Sequence, residues 1–339
     1  MKAYILKKFG GPSVLSLSEV SEPLVETGDI RIKTECIGLN YAEIQSRKGL
    51  YGWAPKLPYI LGMEAFGTID QIGANVSPEK IGKKVMIGTQ FGSYGEYIVV
   101  PEHLAVPAIQ HYSDDENAAF LVNYMTAWIA LIEIARVKAG DKVLIQAAAG
   151  GVGTAAVQIA KNLDCSVFGT CSTNTKKKLL NDLGVDLAID YREDDFGRLI
   201  KNFTSGSGVD VVLEVVGGDV YQKSLSLLNP FGRLVIVGFA SLDLKKWNPA
   251  SWIKTWRDIP RVNVKNLALK SRGVMATHLG YLLNNKIIMQ RVITELKQFI
   301  KANNIKPIIG HQFDFHELTI AHELMESRSS VGKIVIHVN

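Results

Sequence analysis

The sequence predicts an α/β protein that combines a doubly wound parallel sheet with a smaller, mostly β unit. After about residue 123, short apolar strands alternate with longer helical patterns, which is typical of βαβ units and a parallel sheet. Before that point, short apolar segments are separated by turn residues, which indicates mostly β structure. A turn of small residues, 146–153, joins an apolar strand to a helical segment.

Length and composition indicate a globular protein of two domains. A chain of 339 residues is about twice the usual length of one domain. Hydrophobic residues make up 47% and charged residues 21%, and no apolar run approaches the ~20 residues that cross a bilayer. Charged residues follow the N-terminus too soon for a secretory signal, so we expect a cytoplasmic protein. A net charge of +5 is too small to indicate a nucleic-acid partner.

The cysteines do not predict a metal or disulfide framework. The chain contains three, Cys36, Cys165 and Cys171, and no C-x-x-C pair. An odd number without paired spacing argues against disulfides and against a zinc site built from cysteines. We therefore expect no bound metal.

The predicted elements divide the chain into three segments. In the first domain, strands are expected at 30–34, 67–73, 84–87 and 95–100. In the second domain they are expected at 142–145, 166–170, 187–190, 209–213, 233–237 and 273–276. A helix near 287–301 and a strand at 333–338 follow. This tail is too small to bury a core alone, so we assign 1–123 to the first domain, 124–280 to the second, and 281–339 to a segment that returns to the first.

The turn at 146–153 is a candidate binding site for a pyrophosphate. Small residues let the backbone approach a phosphate, and the N-terminus of the next helix supplies N–H donors and positive charge. The candidate ligands are Ala149, Gly150, Gly151 and Val152. The pattern is not G-x-G-x-x-G, because alanines hold its early positions. The alternative is a turn that only packs a helix on a sheet.

The end of the second strand of the parallel sheet favours NADP(H). NAD-binding folds place an acidic residue here, about 20 residues after the glycine turn. This chain has small and hydroxyl residues followed by lysines, with no carboxylate, in Gly169-Thr170-Cys171-Ser172-Thr173-Asn174-Thr175-Lys176-Lys177-Lys178. A 2′-phosphate would find space beside Gly169, the hydroxyl of Ser172 and an ammonium group at Lys176 or Lys177, and we choose Lys177. The alternative is that the lysines form a solvated helix start.

Three later loops are further cofactor candidates because they follow strands of the parallel sheet. Ligands of open α/β folds bind at the carboxyl ends of the strands. The candidates are Tyr191, Val216, Gly238, Phe239 and Ser241. The glycines could equally serve tight turns.

Motifs along the whole chain support a family resemblance. They are 38–41 (GLNY), 49–51 (GLY), 57–64 (LPYILGME), 92–97 (GSYGEY), 148–153 (AAGGVG) and 188–191 (AIDY). With these motifs the chain resembles the medium-chain dehydrogenase/reductase superfamily, in its zinc-independent quinone oxidoreductase branch with ζ-crystallin-like and VAT-1-like proteins. The resemblance implies a Rossmann-type doubly wound parallel sheet with a GroES-like mostly β domain. It also implies a homodimer that pairs edge strands, here 273–276.

The chain departs from the zinc alcohol dehydrogenases of that superfamily. Asn40 stands where they place a catalytic cysteine, and Met63 replaces the histidine of their Gly-His-Glu segment. Neither is a zinc ligand, and residues 88–95 contain none of the cysteines of their structural zinc lobe. Without a metal to polarise a carbonyl, hydride transfer needs an electron-poor acceptor, such as a quinone or an α,β-unsaturated carbonyl.

The resemblance also implies catalytic and cofactor-binding roles for four residues, and one lysine is a further candidate. Asn40 and Tyr41 match positions that contact nicotinamide or substrate, and Tyr51 matches a tyrosine of related enoyl reductases that could donate a hydrogen bond or a proton. The tyrosines could instead only wall an aromatic pocket. Thr126 resembles a nicotinamide-side threonine, or is a helix cap. Lys333 is a candidate for the cofactor phosphate, or is a surface lysine.

A stretch rich in tryptophan and lysine, 244–261, leaves a second class of function open. Its aromatic and cationic residues would suit an amphipathic helix on anionic lipid, but a lid or a dimer contact fits better. A membrane- or partner-binding protein on a dehydrogenase scaffold is therefore the competing hypothesis, with RNA binding weaker still.

Overall fold

The computed structural model describes residues 1–241, 258–259 and 261–338, which form two compact units. The first unit comprises Met1–Val122, Gly280–Arg291 and Lys306–Asn339. The second comprises Asn123–Leu279 and Val292–Ile305. The predicted return segment 281–339 is thus divided between the units, because Val292–Ile305 clusters with the second unit, where the rings of Phe299 and Trp128 lie 5.2 Å apart. The predicted stretch 244–261 lies almost wholly outside the described residues.

The first unit is built on two sheets. Its strands are β1 (Lys2–Leu6), β2 (Leu15–Glu19), β3 (Asp29–Leu39), β4 (Tyr59–Ile60), β5 (Glu64–Ile72), β6 (Lys84–Gly88), β7 (Tyr97–Pro101), β8 (Ala105–Pro107), β15 (Ile309–Asp314) and β16 (Lys333–His337). The small sheet has the order β2-β1-β4. The large sheet follows β15-β16-β3-β5-β6-β8, with β7 also paired to β3. The last strand, β16, is therefore an internal strand of the first unit.

Strand β3 contributes to two cores because its alternation changes along its length. Ile30 and Ile32 are buried in one hydrophobic cluster, and Ile37 and Leu39 are buried in another. Alternate residues of a strand face opposite sides, so this change of parity needs an irregularity. The pairing of β3 with β5 shifts register between Thr34 and Cys36, as a β-bulge does.

The second unit contains a sheet of six strands that are all parallel. They are β9 (Lys142–Ile145), β10 (Ser166–Cys171), β11 (Leu187–Asp190), β12 (Val209–Glu214), β13 (Leu228–Ile236) and β14 (Gly273–Ala276), in the order β11-β10-β9-β12-β13-β14. This is the 3-2-1-4-5-6 order of the Rossmann fold, whose switch point lies between β9 and β12. The predicted α/β fold class is confirmed. Strand β14 lies at an edge of the sheet.

Helices connect and cover these strands. They are α1 (Tyr41–Lys48), α2 (Asp114–Ala118), α3 (Leu121–Trp128), α4 (Gly151–Lys161), α5 (Asn174–Asp182), α6 (Phe196–Phe203), α7 (Gly218–Ser226), α8 (Val264–Ala268), α9 (Leu279–Leu282), α10 (Lys286–Ala302) and α11 (Leu318–Glu326). A π-helical segment, Ile129–Ile134, continues α3. Apolar residues of α6 and α7 pack with the parallel strands in one buried cluster. Within the described ranges, no helix is both long and apolar enough to cross a membrane.

Candidate functional site

The small-residue turn lies between β9 and α4, as predicted. The N-cap of α4 is Gly150, which has no side chain to accept from the first helical N–H groups. The N–H of Thr154 donates to the Gly150 carbonyl at 2.8 Å and is the first to close the helix. The N–H groups of Gly151, Val152 and Gly153 precede it, at the positive end of the helix. This arrangement suits a phosphate group.

Close backbone packing requires glycine at the third position of α4. A Cβ on Gly153 would lie 2.4 Å from the Ala147 carbonyl oxygen and 2.6 Å from backbone atoms of Ala148. A Cβ on Gly151 would lie 2.4 Å from the Asn123 side-chain nitrogen. Ala147 itself has a left-handed φ of 51°. These contacts explain why the turn consists of small residues, whatever ligand it holds.

Hydrogen bonds fix the turn to the neighbouring strand. The Thr170 hydroxyl donates to Gln146 Oε1 at 2.6 Å and accepts from the Ala147 N–H at 3.1 Å. The Ala148 N–H donates to the Thr170 carbonyl at 2.9 Å. A Cβ on Gly169 would lie 2.9 Å from the Cβ of Ala148 and 3.1 Å from Leu180. Gly169 therefore allows the turn and α5 to pack on β10, and its predicted role beside a phosphate stays a prediction.

At the end of β10 the structure brings together Lys176, one of the two lysines that the sequence offered, and Arg192, which the sequence did not single out. Lys176 is buried, and its Nζ lies 3.5 Å from the Ser172 hydroxyl, whereas Lys177 is half-buried. Burial lowers the pKa of Lys176, and the Arg192 guanidinium lowers it further. An anion bound beside Lys176 and Arg192 would offset their mutual repulsion and raise the pKa of Lys176 again. These features make Lys176 a candidate for binding an anion, and the role predicted for Lys177 stays a prediction.

Tyr191 precedes Arg192 and is close to the same loop. Its N–H donates to the Cys171 carbonyl at 3.0 Å, and its ring is 43% exposed. Arg192 Nε lies 3.5 Å from the Asp190 carboxylate, which holds the cation near the end of β11. Residues 171–176 and 190–192 therefore form one polar surface in the second unit. The exposed ring of Tyr191 could stack on a flat group, and its predicted contact with the cofactor stays a prediction.

The loops after β12 and β13 are joined by main-chain hydrogen bonds. The buried Glu214 accepts from the N–H groups of Val216 at 2.7 Å and Gly217 at 2.9 Å. The N–H of Ser241 donates to the Val216 carbonyl at 2.8 Å, and its buried hydroxyl has no hydrogen-bond partner in the described chain. Phe239 packs against the core of the sheet, and Gly238 precedes it. The Ser241 hydroxyl is thus a polar group available to a ligand.

Thr126 is not a helix cap. Helix α3 begins at Leu121, so Thr126 lies inside it, and the alternative of a capping role is wrong. The side chain is half-buried. Its predicted contact with a nicotinamide stays a prediction.

In the first unit, Asn40 is held by several partners at the start of α1. Its N–H donates to the Glu43 carboxylate at 2.7 Å. Its side-chain nitrogen donates to the Gly38 carbonyl at 2.9 Å, and its side-chain oxygen accepts from Lys333 Nζ at 2.7 Å. The amide of Asn40 is therefore fixed in orientation.

Lys333 forms a buried ion pair, so its interpretation as a surface lysine is wrong. Its Nζ lies 2.6 Å from Glu64 Oε2, and the two side chains are 2% and 1% exposed. Glu64 also accepts from the Val122 N–H at 2.8 Å. A Cβ on Gly38 would lie 2.8 Å from Lys333 Cε and 2.9 Å from Glu64 Oε2. The predicted contact of Lys333 with a cofactor phosphate is not tested by this ion pair.

Glu43 is a buried carboxyl that sequence reasoning missed. It accepts from Tyr94 Oη at 2.7 Å and from the Met63 N–H at 2.6 Å, besides the N–H of Asn40. Burial raises the pKa of Glu43 to about 7, although these hydrogen bonds and Lys333 oppose the shift. The N-x-x-E spacing of a capping box, 40–43, was the available signal.

A chain of donors leads to this carboxyl from a buried arginine. Arg47 Nη1 lies 3.4 Å from His322 Nδ1, and His322 Nε2 lies 2.9 Å from Tyr94 Oη. Because arginine can only donate, Nδ1 accepts, Nε2 carries the proton and Tyr94 donates onward to Glu43. Burial and the nearby Arg47 lower the pKa of His322 well below 6.5. His322 is thus neutral.

Tyr51 lies in an aromatic group with Trp53 and Tyr281. The rings of Tyr51 and Trp53 meet edge to face at 6.5 Å, and those of Trp53 and Tyr281 lie 6.1 Å apart. Burial, Glu43 and Tyr281 raise the pKa of Tyr51, which keeps its hydroxyl protonated. Tyr41 is the half-buried first residue of α1. The geometry agrees with an aromatic wall and leaves the donor role of Tyr51 as a prediction.

The residues at the position of a dehydrogenase zinc do not fit that metal. Both polar atoms of the Asn40 side chain are used by protein partners, and Met63 offers only a thioether. The buried ammonium of Lys333 already lies between Asn40 and Glu64 and would repel a second cation. Chemistry at this place has to proceed without zinc.

Comparisons with known proteins identify the class. One family model, described as an alcohol dehydrogenase GroES-like domain, matches residues 26–110, and another, described as a zinc-binding dehydrogenase, matches residues 183–336. The chain is 33% identical to the synaptic vesicle membrane protein VAT-1 homolog of Rattus norvegicus over 340 residues, which cover 99% of this chain and 84% of the relative. It is 30% identical to human quinone oxidoreductase over 339 residues, 99% of this chain and 97% of that one.

A solved structure shows the same architecture. The crystal structure of Escherichia coli quinone oxidoreductase complexed with NADPH matches with a TM-score of 0.89 and 28% identity, and covers 100% of both chains. The chain therefore belongs to the medium-chain dehydrogenase/reductase superfamily. Within it, the chain falls in the zinc-independent branch of quinone oxidoreductases and VAT-1-like proteins, as the sequence motifs predicted.

Proposed function

We propose that this protein is an NADPH-dependent oxidoreductase that reduces a quinone or a related conjugated carbonyl. The family and the NADPH complex of a bacterial relative support the activity of an NADPH-dependent oxidoreductase. The observation that carries the cofactor assignment is the pair of cations, Lys176 and Arg192, beside Ser172 where NAD-binding folds place an acid.

The second unit would hold the dinucleotide by its phosphates. The N–H groups of Gly151, Val152 and Gly153 lie in the first turn of α4 and suit the pyrophosphate. Lys176, Ser172 and Arg192 suit the 2′-phosphate, because charge-assisted hydrogen bonds favour a dianion. The proposed cofactor set is completed by the other candidates from the sequence: Thr126, Ala149, Gly150, Gly169, Lys177, Tyr191, Val216, Gly238, Phe239, Ser241 and Lys333.

The first unit would supply the groups that act on the substrate. When bound, a reduced nicotinamide supplies the hydride. Asn40 and Tyr41 would orient the reacting partners, and Asn40 is suited to this because its amide cannot rotate freely. Tyr51 would donate a hydrogen bond to the oxygen that gains charge, since its raised pKa keeps the proton on the hydroxyl.

The lack of zinc ligands around Asn40, Met63 and Lys333 favours conjugated acceptors. A quinone or an enone delocalises incoming charge without a Lewis acid, whereas a simple ketone does not. Enone or enoyl reduction is therefore the alternative within the same chemistry. The dimer implied by the family would pair β14, which lies at the edge of its sheet.

The similarity to VAT-1 supports a second candidate function, a membrane- or partner-binding protein with little reductase activity. A retained set of cofactor loops favours the reductase, because a pure binding protein has no need of them. Salt-sensitive retention on anionic liposomes without NADPH consumption would support the second candidate.

The deciding experiment compares cofactors and acceptors with the purified chain. We expect NADPH to bind at least tenfold more tightly than NADH in a fluorescence titration, because Lys176 and Arg192 would contact its extra phosphate. We expect NADPH consumption with quinones or enones and none with saturated ketones. Equal affinities for NADPH and NADH would contradict the cofactor assignment. Binding of neither dinucleotide would rule out the enzymatic function.

A further inference from the structure

A second cluster of reactive side chains lies in the first unit, outside the proposed catalytic residues. Cys36, Asp115 and His337 place one ligand atom each within 4.8 Å of one another. Cys36 Sγ lies 3.7 Å from Asp115 Oδ1 and 3.7 Å from His337 Nδ1. His337 Nε2 lies 3.4 Å from Asp115 Oδ1. A thiol, a carboxylate and an imidazole thus lie within reach of one cation, which His337 would bind through one of its two ring nitrogens.

From this cluster we propose a binding site for a single zinc-like divalent cation, held by Cys36, Asp115 and His337. Zinc takes thiolate, imidazole and carboxylate ligands, whereas Mg²⁺ and Ca²⁺ prefer oxygen alone. Bonds of about 2.3 Å to sulfur and about 2.0 Å to nitrogen, at a tetrahedral angle, separate the two ligand atoms by about 3.6 Å. The observed separations of 3.7 Å match this value.

Three rigid elements hold the ligands in place. Cys36 on β3 is the direct antiparallel partner of His337 on β16, so their side chains share a face. This face is opposite to the one on which Ile37 packs into the core, and a β-bulge lies between Thr34 and Cys36. Asp115 lies in the first turn of α2, and Gln312 donates a hydrogen bond to its other oxygen. Such support orients a metal ligand.

The surroundings give a cation both access and compensating charge. A pocket of about 470 Å³ is lined by Glu35, Cys36, Ser113, Asp114, Asp115, His337 and Val338. The His337 and Asp115 side chains are 34% and 17% exposed, which provides an entry path. Glu35 and Asp114 add negative charge. Lys84 partly offsets it, because its Nζ lies 3.0 Å from Glu35 Oε2 and 2.9 Å from Asp114 Oδ2. Solvent can supply a fourth ligand.

The site is separate from the proposed chemistry. Cys36 precedes Asn40 by four residues of nearly extended chain, about 13 Å. Binding would proceed by coordination, with the cation replacing the thiol proton of Cys36, which is released to solvent. The number and spacing of the cysteines argue against a zinc site built from several cysteines, and this site needs only one cysteine.

Cobalt(II) is a suitable probe because a thiolate ligand gives it a near-ultraviolet charge-transfer band. The full, tag-free chain is treated with a chelator, dialysed and titrated with Co²⁺. We expect one Co²⁺ per chain with this band, and its loss in Cys36→Ser. The matched control is Cys165→Ser, another buried cysteine outside the cluster, which should keep the band. Absence of the band in the unmodified chain, or its persistence in Cys36→Ser, would overturn the proposal.

A second pair of variants covers a failure of Cys36→Ser to fold. Asp115→Asn and His337→Gln should each bind Zn²⁺ at least tenfold more weakly, because each removes one ligand. A cation that binds only the folded state raises the melting temperature, so Zn²⁺ should raise it less in the two variants than in the unmodified chain. Equal shifts in all three proteins would contradict the assigned ligands.

Discussion

Lys333 and Glu64 show how strongly single residues constrain this fold. Each is almost fully buried, and each has partners beyond the other: Asn40 for the lysine and the Val122 N–H for the glutamate. A buried charge that loses its partner keeps its desolvation cost without compensation. The sequence could not reveal this pair, because the two residues are separated by most of the chain.

Removing the lysine should therefore destabilise the first unit. Lys333→Met leaves Glu64 buried and unpaired, so we expect the free energy of unfolding to fall by about 3–5 kcal/mol. Denaturant unfolding followed by circular dichroism measures the change. The double variant Lys333→Met, Glu64→Gln should recover part of the loss, because no buried charge remains. Equal losses in the two variants would contradict the ion-pair explanation.

Glu43 should make stability depend on pH in a defined direction. Burial raises its pKa from 4.5 to about 7. Between these values the folded chain holds a proton that the unfolded chain has lost, so stability falls as the pH rises through this window. The contribution is at most about 3.5 kcal/mol, since one pKa unit corresponds to about 1.4 kcal/mol.

Replacing Glu43 tests this sign. The stability advantage of the unmodified chain over Glu43→Gln should shrink as the pH rises from 4.5 to about 7 and then stay constant. His322, whose lowered pKa gives a contribution lost as the pH falls below 6.5, is present in both proteins. Denaturation curves at several pH values measure the difference. The exposed Glu79→Gln is the control, and an advantage that grows with pH would contradict the assignment.

Lys176 should discriminate between the two dinucleotides. Lys176→Ala removes a cation from the proposed 2′-phosphate site, so NADPH affinity should fall by about 10–100-fold, the equivalent of one charge-assisted hydrogen bond. NADH affinity should stay unchanged. Fluorescence titration measures both, with the exposed Lys178→Ala as the matched control. A similar loss for NADH would indicate a structural role for Lys176 instead.

At the scale of elements, the turn between β9 and α4 depends on how closely its backbone packs. Gly153→Ala places a Cβ 2.4 Å from the Ala147 carbonyl, whereas at Gly150 the nearest atom is 3.4 Å away. We expect Gly153→Ala to lower stability by about 1–3 kcal/mol, the usual cost of overpacking. Gly150→Ala should stay within about 1 kcal/mol of the unmodified chain. Thermal unfolding compares them, and equal melting temperatures would contradict the packing argument.

Elements were more predictable from sequence than side-chain partners. The strands Lys142–Ile145, Leu187–Asp190 and Gly273–Ala276 have the predicted bounds, because buried parallel strands appear as short apolar runs between turn residues. The sequence could not decide between Lys176 and Lys177 for a physical reason: neighbouring residues of a helix point to different sides, and only packing decides which is buried. Arg192 had no local signal at all.

At the scale of the whole molecule, the dimer implied by the family should involve the edge of the parallel sheet. Ala276 is an exposed residue of β14, so Ala276→Lys should weaken pairing there without removing core packing. Sedimentation should show a dimer for the unmodified chain and a larger monomer fraction for the variant. Ile320→Lys, which replaces an exposed apolar residue of the first unit, is the control. A monomeric unmodified chain would contradict the prediction.

The pairing of β16 with β3 has a consequence for how the chain is made. The bond between Lys333 and Asn40 spans 293 positions, so all of the chain between them must be synthesised before that contact can form. Until then residues 36–39 of β3, which pair with β16 in the folded protein, present an open hydrogen-bonding edge. Contacts so distant in sequence slow folding, and an open edge invites aggregation. Expression at low temperature or with abundant chaperones should therefore raise the yield of correctly folded product.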